Sequence, residues 1–211
     1  LLVNDLINNG ITDILLFGLP YKRDEGGTAA ADKSGAVQVA TRKIKRDFGS
    51  TVNVITDVCV CQYNISGHCG ISDNSYGNVD NFKSLALLEK IATSQADSGA
   101  DCVAPSSMMD GQVDSIRQAL DSYGFGAVKI MSYSAKHASS LYGPFRSVAF
   151  ARNNSQDLAF DKSAYQLPYS NRREAIREIE QDISEGANMV MIKPTLWYLD
   201  LVYEVKKMID V

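Results

Sequence analysis

Residues 172–193 read RREAIREIEQDISEGANMVMIK and combine a helical pattern with a strand. The isoleucines of the first part recur at the spacing of one helix face: Ile176, Ile179 and Ile183. Gly186 follows at the place where a helix commonly ends in a left-handed residue. The apolar run at 188–192 is then typical of a strand that is buried on both faces. A helix that leads directly into such a strand predicts an α/β fold with parallel strands.

The same alternation of strands and helices continues along the chain. Four further strands are predicted at 13–17, 52–57, 101–104 and 127–132. Further helices are predicted at 81–98, 112–123 and 198–209. Five strands are enough for an open doubly wound sheet, whereas an eight-stranded βα barrel usually needs ~250 residues. Chain length alone therefore favours the open sheet, in a single domain that covers residues 1–211.

The composition is that of a globular protein, with 45% hydrophobic and 22% charged residues and a net charge of −4. No basic block is present, which argues against nucleic acid or an anionic membrane as a partner. The sequence has neither an apolar run of about eighteen residues nor a signal-peptide pattern, so we expect a cytoplasmic protein. Three of its 4 cysteines lie between residues 59 and 69, and this clustering favours metal binding over disulfides.

Residues with reactive side chains directly follow the ends of different predicted strands. They are Asp57, Cys59, Cys61, Ser106, Lys136 and Lys193. In α/β folds, the loops at the carboxyl edge of the sheet build the active site. The sequence therefore predicts one active site to which several strands contribute.

Residues 57–70, DVCVCQYNISGHCG, place three cysteines in one loop: Cys59, Cys61 and Cys69. Gly67 and Gly70 let such a loop fold back, so that the three thiolates can reach one ion. Three sulfurs fit Zn²⁺ and leave its fourth position open, as in a catalytic site. The alternatives are three free thiols or a redox switch. We expect His68 to support a ligand rather than to bind the metal itself.

Two lysines follow predicted strands, Lys136 in MSYSAK and Lys193 in MVMIKP. Desolvation and a neighbouring cation both lower the pKa of a lysine, and the free amine can then form a Schiff base with a carbonyl. Lys193 follows four apolar residues, whereas Lys136 leads into a polar loop and is expected to be better solvated. The alternative for each is a solvated lysine on the surface.

Three further motifs complete the pattern: VAPSSMMDG at 103–111, YGPFR at 142–146 and DKSAYQLP at 161–168. Ser106 either belongs to the predicted active site or only caps the following helix. Arg146 and Lys162 hold a substrate carboxylate or are exposed loop charges. Two loops, 18–35 and 135–165, are longer than a plain connection requires.

Taken together, these six motifs resemble porphobilinogen synthase (5-aminolevulinate dehydratase) of the zinc-dependent type, from about Ile11 to the C-terminus. The resemblance implies a (β/α)8 TIM barrel, in contrast to the expectation from length. It also implies an enzyme of tetrapyrrole (haem) biosynthesis that condenses two 5-aminolevulinate molecules into porphobilinogen with loss of water. The implied assembly is a homo-octamer.

The resemblance assigns a role to each motif. Lys136 and Lys193 are the Schiff-base lysines, and the catalytic zinc is held by Cys59, Cys61 and Cys69. The substrate on the zinc side is bound by Ser106, Arg146, Lys162 and Gln166. The other substrate packs near Tyr142 and Phe145, and the loop 135–165 is a lid. Asp57 has no role assigned by the resemblance; from its place beside the thiolates it orients a zinc-bound water, moves a proton or only caps its loop.

The chain also departs from the family. Ser107 stands where the family usually has Asp, and Gln112 where it often has Arg. The N-terminal arm, the first strand and the last strands of the family barrel have no counterpart here, so we expect the natural protein to be longer. The sequence does not decide whether a regulatory Mg²⁺ site is present.

Two other functions compete with this interpretation. One is a Schiff-base aldolase, which needs neither three cysteines nor a second lysine. The other is an inactive truncated homologue or zinc module.

Overall fold

The computed structural model describes residues 2–73, 79–149 and 162–209, apart from the side chains of Arg146 and Ala149. The strands within these ranges are β1 (Asp13–Leu16), β2 (Asn53–Val58), β3 (Ile71–Ser72), β4 (Val79–Asp80), β5 (Cys102–Pro105), β6 (Lys129–Lys136) and β7 (Met189–Lys193). The helices are α1 (Leu2–Asn8), α2 (Ala36–Phe48), α3 (Asn81–Asp97), α4 (Gln112–Ser122), α5 (Gly143–Ala149), α6 (Arg172–Ser184) and α7 (Leu199–Met208). The left-handed glycines expected after α3, α4 and α6 are present, with φ of 95° at Gly99, 81° at Gly124 and 105° at Gly186. None of the helices in the described ranges is long and apolar enough to cross a membrane.

Five strands form one parallel sheet, in the order β1-β2-β5-β6-β7. Each of these five strands lies beside the strand of this sheet that precedes it in the chain, so the strand order never reverses. A doubly wound sheet reverses its strand order at a switch point, whereas a (β/α) barrel adds strands in one direction. The open doubly wound sheet favoured by chain length is therefore wrong, because length limits the number of strands and says nothing about their winding.

The two faces of this sheet are covered differently. The helices pack on one face. There Val54 packs with apolar side chains of α1 and α2, Val103 packs with those of α3 and α4, and Ile192 packs with those of α6 and α7. The other face carries strand side chains packed against one another: Leu15, Ile55, Cys102, Ala104, Met131, Tyr133, Met189 and Met191. Strand residues alone form this second cluster in the described ranges, which is the arrangement of a barrel interior.

At the amino edge of the sheet, Asp101 connects α2, β2 and the start of β5. Its carboxylate lies 2.8 Å from Nζ of Lys45 on α2 and accepts a 2.7 Å hydrogen bond from the backbone N–H of Val54. Nζ of Lys45 also donates to the carbonyl of Val52, at 3.1 Å. In βα barrels this edge supports stability, while the opposite edge carries the chemistry.

Asp101→Ala is therefore expected to lower the free energy of unfolding by about 2 kcal/mol, because it removes a partly buried ion pair and leaves the Val54 N–H without its acceptor. Urea unfolding measures this loss. Asp97→Ala is the matched control, since its ion pair with Lys33 is largely exposed and is expected to contribute less than about 0.5 kcal/mol. Equal losses in the two variants would contradict the role of Asp101.

Candidate active site

One cavity lies at the carboxyl edge of the sheet, where β2, β5, β6 and β7 end. Nine of the predicted site residues line it: Asp57, Cys61, Ser106, Lys136, Tyr142, Phe145, Lys162, Gln166 and Lys193. Cys59 and Cys69 pack against Cys61. The side chain of Arg146 lies outside the described residues, as does most of the second half of the predicted lid. Ser106 does not cap the following helix, because α4 begins at Gln112 after Gly111.

Lys136 reaches this cavity because β6 contains an irregularity. Met131 pairs with Met189 in register, but further along Lys136 pairs with Lys193, after a shift between Ser132 and Ala135. Without the shift, the alternation that turns Met131 and Tyr133 inward would turn Ala135 inward and Lys136 outward. The extra residue of this bulge brings the two lysines side by side on the inner face.

The environment of Lys136 differs from the expectation of a better solvated lysine. It is only 9% exposed, and its ammonium donates a hydrogen bond to the carbonyl of Ser106. Lys193, by contrast, keeps an intermediate exposure. The sequence-based prediction was wrong because the polar residues after Lys136 do not surround its amine, which the bulge turns into the cavity.

Four aromatic rings surround the ammonium of Lys193. Their centroids lie at 5.0 Å for Tyr133, 5.4 Å for Phe145, 5.9 Å for Phe17 and 6.0 Å for Tyr142. Burial, and then the positive charge of Lys136, lower the pKa of Lys193, against the opposing effect of Asp57. This direction agrees with the prediction, and it increases the fraction of neutral, nucleophilic amine.

Buried polar atoms without a partner also line the cavity. Among the described residues, no hydrogen bond reaches Oδ1 of Asp57, the hydroxyl of Tyr133 or Oε1 of Gln166. Oδ2 of Asp57 accepts a 3.3 Å hydrogen bond from Gln62, and burial raises the pKa of this carboxyl although Lys136 opposes the shift. Buried polar groups are normally paired, so the cavity is suited to a ligand that carries several polar groups.

The loop after β2 brings three thiols together. The Sγ atoms of Cys59, Cys61 and Cys69 lie within 4.8 Å of one another, and all three residues are buried. Asn64 closes the loop, since its Oδ1 accepts from the N–H of Gly67 at 2.7 Å and its amide donates to the carbonyl of residue 68 at 2.8 Å. Gly67 has a φ of 71°, as the predicted fold-back requires.

The thiol cluster carries negative charge. Hydrogen bonds from Cys59 and Cys61 hold the pKa of Cys69 well below its usual value, and Nζ of Lys162 lies 3.1 Å from the Cys69 sulfur. Burial disfavours the Lys162 ammonium, but the neighbouring thiolates outweigh this effect and raise its pKa. The pKa values of Cys59 and Cys61 are raised instead, by the neighbouring sulfurs and by burial, so that one thiolate is shared among three sulfurs. Three converging sulfurs form a donor set suited to Zn²⁺, whereas Mg²⁺ prefers oxygen ligands.

His68 lies outside this group of sulfur ligands. Its Nδ1 lies 3.1 Å from the hydroxyl of Tyr165, which also accepts a 3.1 Å hydrogen bond from the N–H of Cys69. Tyr165 therefore fastens the loop that carries Cys69 to the segment that carries Lys162. This geometry suits the expected supporting role of His68.

The motifs did not indicate three residues of the cavity: Phe17, Gln62 and Tyr133. A signal existed for Tyr133, because it stands at alternate spacing from Met131 on a predicted strand. A signal existed for Phe17 as well, because it stands at the carboxyl end of the strand predicted at 13–17; its ring centroid lies 5.3 Å from that of Phe145.

Comparison with known proteins points to one family. A family model described as Delta-aminolevulinic acid dehydratase matches residues 2–211. The delta-aminolevulinic acid dehydratase of Archaeoglobus fulgidus is 45% identical over 208 residues, which cover 99% of this chain and 62% of the relative. The delta-aminolevulinic acid dehydratase of Staphylococcus epidermidis is 44% identical over 204 residues, which cover 97% of this chain and 61% of that relative.

A solved structure agrees with this family. It is the Toxoplasma gondii delta-aminolevulinic acid dehydratase (porphobilinogen synthase) in complex with the reaction product porphobilinogen, with a TM-score of 0.93 and 36% identity over 99% of this chain and 59% of that one. The likeness confirms that the curled five-stranded sheet is part of a (β/α) barrel. The chain spans about three fifths of the length of these relatives. Since the family model and the relatives match nearly every residue of it, the chain belongs to the delta-aminolevulinic acid dehydratase family.

Proposed function

We propose that this chain is part of an enzyme that condenses two 5-aminolevulinate molecules into porphobilinogen with loss of water, in tetrapyrrole biosynthesis. The observation that carries the proposal is the pairing of Lys136 with Lys193 at the ends of adjacent strands, in one cavity with three clustered thiols. A Schiff-base aldolase needs one such lysine and no thiol cluster. Family membership supports the same conclusion.

In this mechanism Lys193 reacts first. Its lowered pKa provides neutral amine, which adds to the ketone carbon of one substrate and forms an imine as water leaves. Lys136 forms the second imine with the other substrate. Each imine makes the adjacent carbon more acidic, and the unpartnered Oδ1 of Asp57 can accept or return a proton there.

The metal of this proposal is Zn²⁺, held by Cys59, Cys61 and Cys69. When bound, it supplies a Lewis acid that polarises a substrate oxygen. Lys162 neutralises the excess charge of the thiolates from 3.1 Å. Two cationic groups then face the carboxylate of the zinc-side substrate, Lys162 and Arg146, the second by family resemblance.

The remaining assignments follow the family pattern. Ser106 and Gln166 bind the zinc-side substrate, and Tyr142 and Phe145 pack against the other one. The segment 135–165 serves as a lid. We further propose that residues 1–211 form part of one barrel domain, in a cytoplasmic homo-octamer. The free thiols support a reducing compartment.

The test is to incubate the complete, metal-loaded protein with 5-aminolevulinate and to measure porphobilinogen. A parallel sample is reduced with borohydride and analysed for labelled lysines. We expect porphobilinogen together with label on the protein. An aldolase would show no label from this substrate, and an inactive zinc module would bind metal but form neither product nor imine. Either result would contradict the proposal.

A further inference from the structure

Tyr133 occupies a position that contacts both lysines. It lies on β6, three residues before Lys136, and its side chain is 1% exposed. The centroid of its ring is 5.0 Å from Nζ of Lys193 and 5.5 Å from Nζ of Lys136. At these distances an aromatic face attracts an ammonium group. The ring is therefore placed to hold both amines at one end of the cavity.

The hydroxyl of Tyr133 needs a partner that the described residues do not supply. It is fully buried, and no hydrogen bond reaches it within these residues. A buried hydroxyl without a partner destabilises a protein, so phenylalanine would be the better residue if only the ring mattered. Tyr133 lines the same cavity as Lys136 and Lys193, where a bound molecule would provide the missing partner.

We propose that Tyr133 is a further catalytic residue, whose hydroxyl donates a hydrogen bond to the ketone oxygen of the substrate that the first of these lysines, Lys193, attacks. This inference rests on the proposed function. The amine lone pair forms the C–N bond, and the π electrons of the carbonyl move onto the oxygen that Tyr133 contacts. That oxygen then leaves as water when the C–O bond breaks.

The proton balance explains why a tyrosine suits this role. Both hydrogens of the released water come from the amine nitrogen, so Tyr133 keeps its own proton throughout. Burial raises the pKa of this phenol, which keeps it in the protonated, donating form. A donor aimed at the oxygen where negative charge develops stabilises the transition state more than the ground state.

The test is Tyr133→Phe in the complete, metal-loaded enzyme, since this change keeps the ring and removes only the hydroxyl. The rate at which 5-aminolevulinate becomes trapped by borohydride is expected to fall roughly 100-fold, as for the loss of one oxyanion donor. The melting temperature without substrate is expected to rise by a few degrees, roughly 2 to 4 °C, because an unpaired buried hydroxyl is gone. Metal content should not change.

Tyr123→Phe is the control, since Tyr123 is 71% exposed and far from the cavity in the fold, and it should leave both measurements unchanged. A Tyr133→Phe enzyme that is trapped as fast as the wild type would overturn the inference. So would a lower melting temperature with unchanged trapping, which indicates a purely structural hydroxyl. If the wild type itself is never labelled, the proposed function fails, and the role of Tyr133 fails with it.

Discussion

Replacing Lys193 with alanine is expected to lower kcat by a factor on the order of 10⁴ to 10⁶, the range seen when a covalent nucleophile is removed. The reason is that Lys193 combines a lowered pKa with a cage of four aromatic rings, so that it provides the first amine to attack. Borohydride trapping of 5-aminolevulinate on this variant should fail. Peptide mass spectrometry of the reduced wild type should show label on Lys193 before any other lysine.

Lys136→Ala should behave differently, because it removes the second amine and leaves the first. It should retain one labelled lysine but lose turnover. Lys129→Ala is the matched control, since Lys129 lies at the opposite, exposed end of the same strand. Label that appears first or only on Lys136 in the wild type would contradict the assigned order.

The pH dependence of borohydride trapping shows in which direction the charge of Lys136 shifts the pKa of Lys193. The pKa of Lys193 is lowered first by burial and then by the charge of Lys136, so the neutral amine appears at a lower pH than for an ordinary lysine. The trapping rate should therefore rise with pH through a midpoint below about 10.4. Lys136→Met removes the neighbouring charge and should move this midpoint to higher pH. A shift to lower pH would contradict the coupling.

Replacing Cys69 with alanine is expected to abolish metal binding, with Zn²⁺ affinity reduced by more than about 100-fold and kcat reduced with it. A supporting residue near a metal contributes about 10- to 100-fold, and a direct ligand should exceed that range. Cys69 is also the one thiol of the cluster whose pKa is lowered, whereas those of Cys59 and Cys61 are raised, so its loss removes the principal negative charge. Metal analysis after dialysis against a chelator measures the effect.

Cys102→Ala is the matched control for this experiment. Cys102 is equally buried, but it packs among the strand side chains of the inner face and not with the three clustered thiols. Its replacement should leave the zinc content unchanged. One zinc per chain retained by Cys69→Ala, or wild-type activity that survives complete chelation, would contradict the metal assignment.

The sequence by itself determined much of the local structure. The five parallel strands, the helices α3, α4, α6 and α7 and the left-handed glycines follow from patterns that each segment carries within itself, since apolar periodicity and turn chemistry act over a few residues. The helix after β1, α2, was not predicted. The order of Asp57, Ser106, Lys136 and Lys193 after successive strands was enough to bring them to one edge, because parallel strands all end there. The turn of the cysteine loop was equally local, as Gly67 and Asn64 close it, although the distant Tyr165 also holds its Cys69 end.

Only the tertiary structure decided the winding of the sheet and the environment of the two lysines. The one-directional strand order results from pairings between segments that are distant in the sequence, so it cannot be predicted from any single segment. The same holds for the bulge in β6, since a shift of register is defined by the partner strand and not by the bulged one. That single shift turns Lys136 inward and places it beside Lys193, with the Tyr133 ring close to both amines. Side-chain direction near the bulge depends on strand register, which is why the solvation of Lys136 was predicted wrongly from its neighbours in sequence.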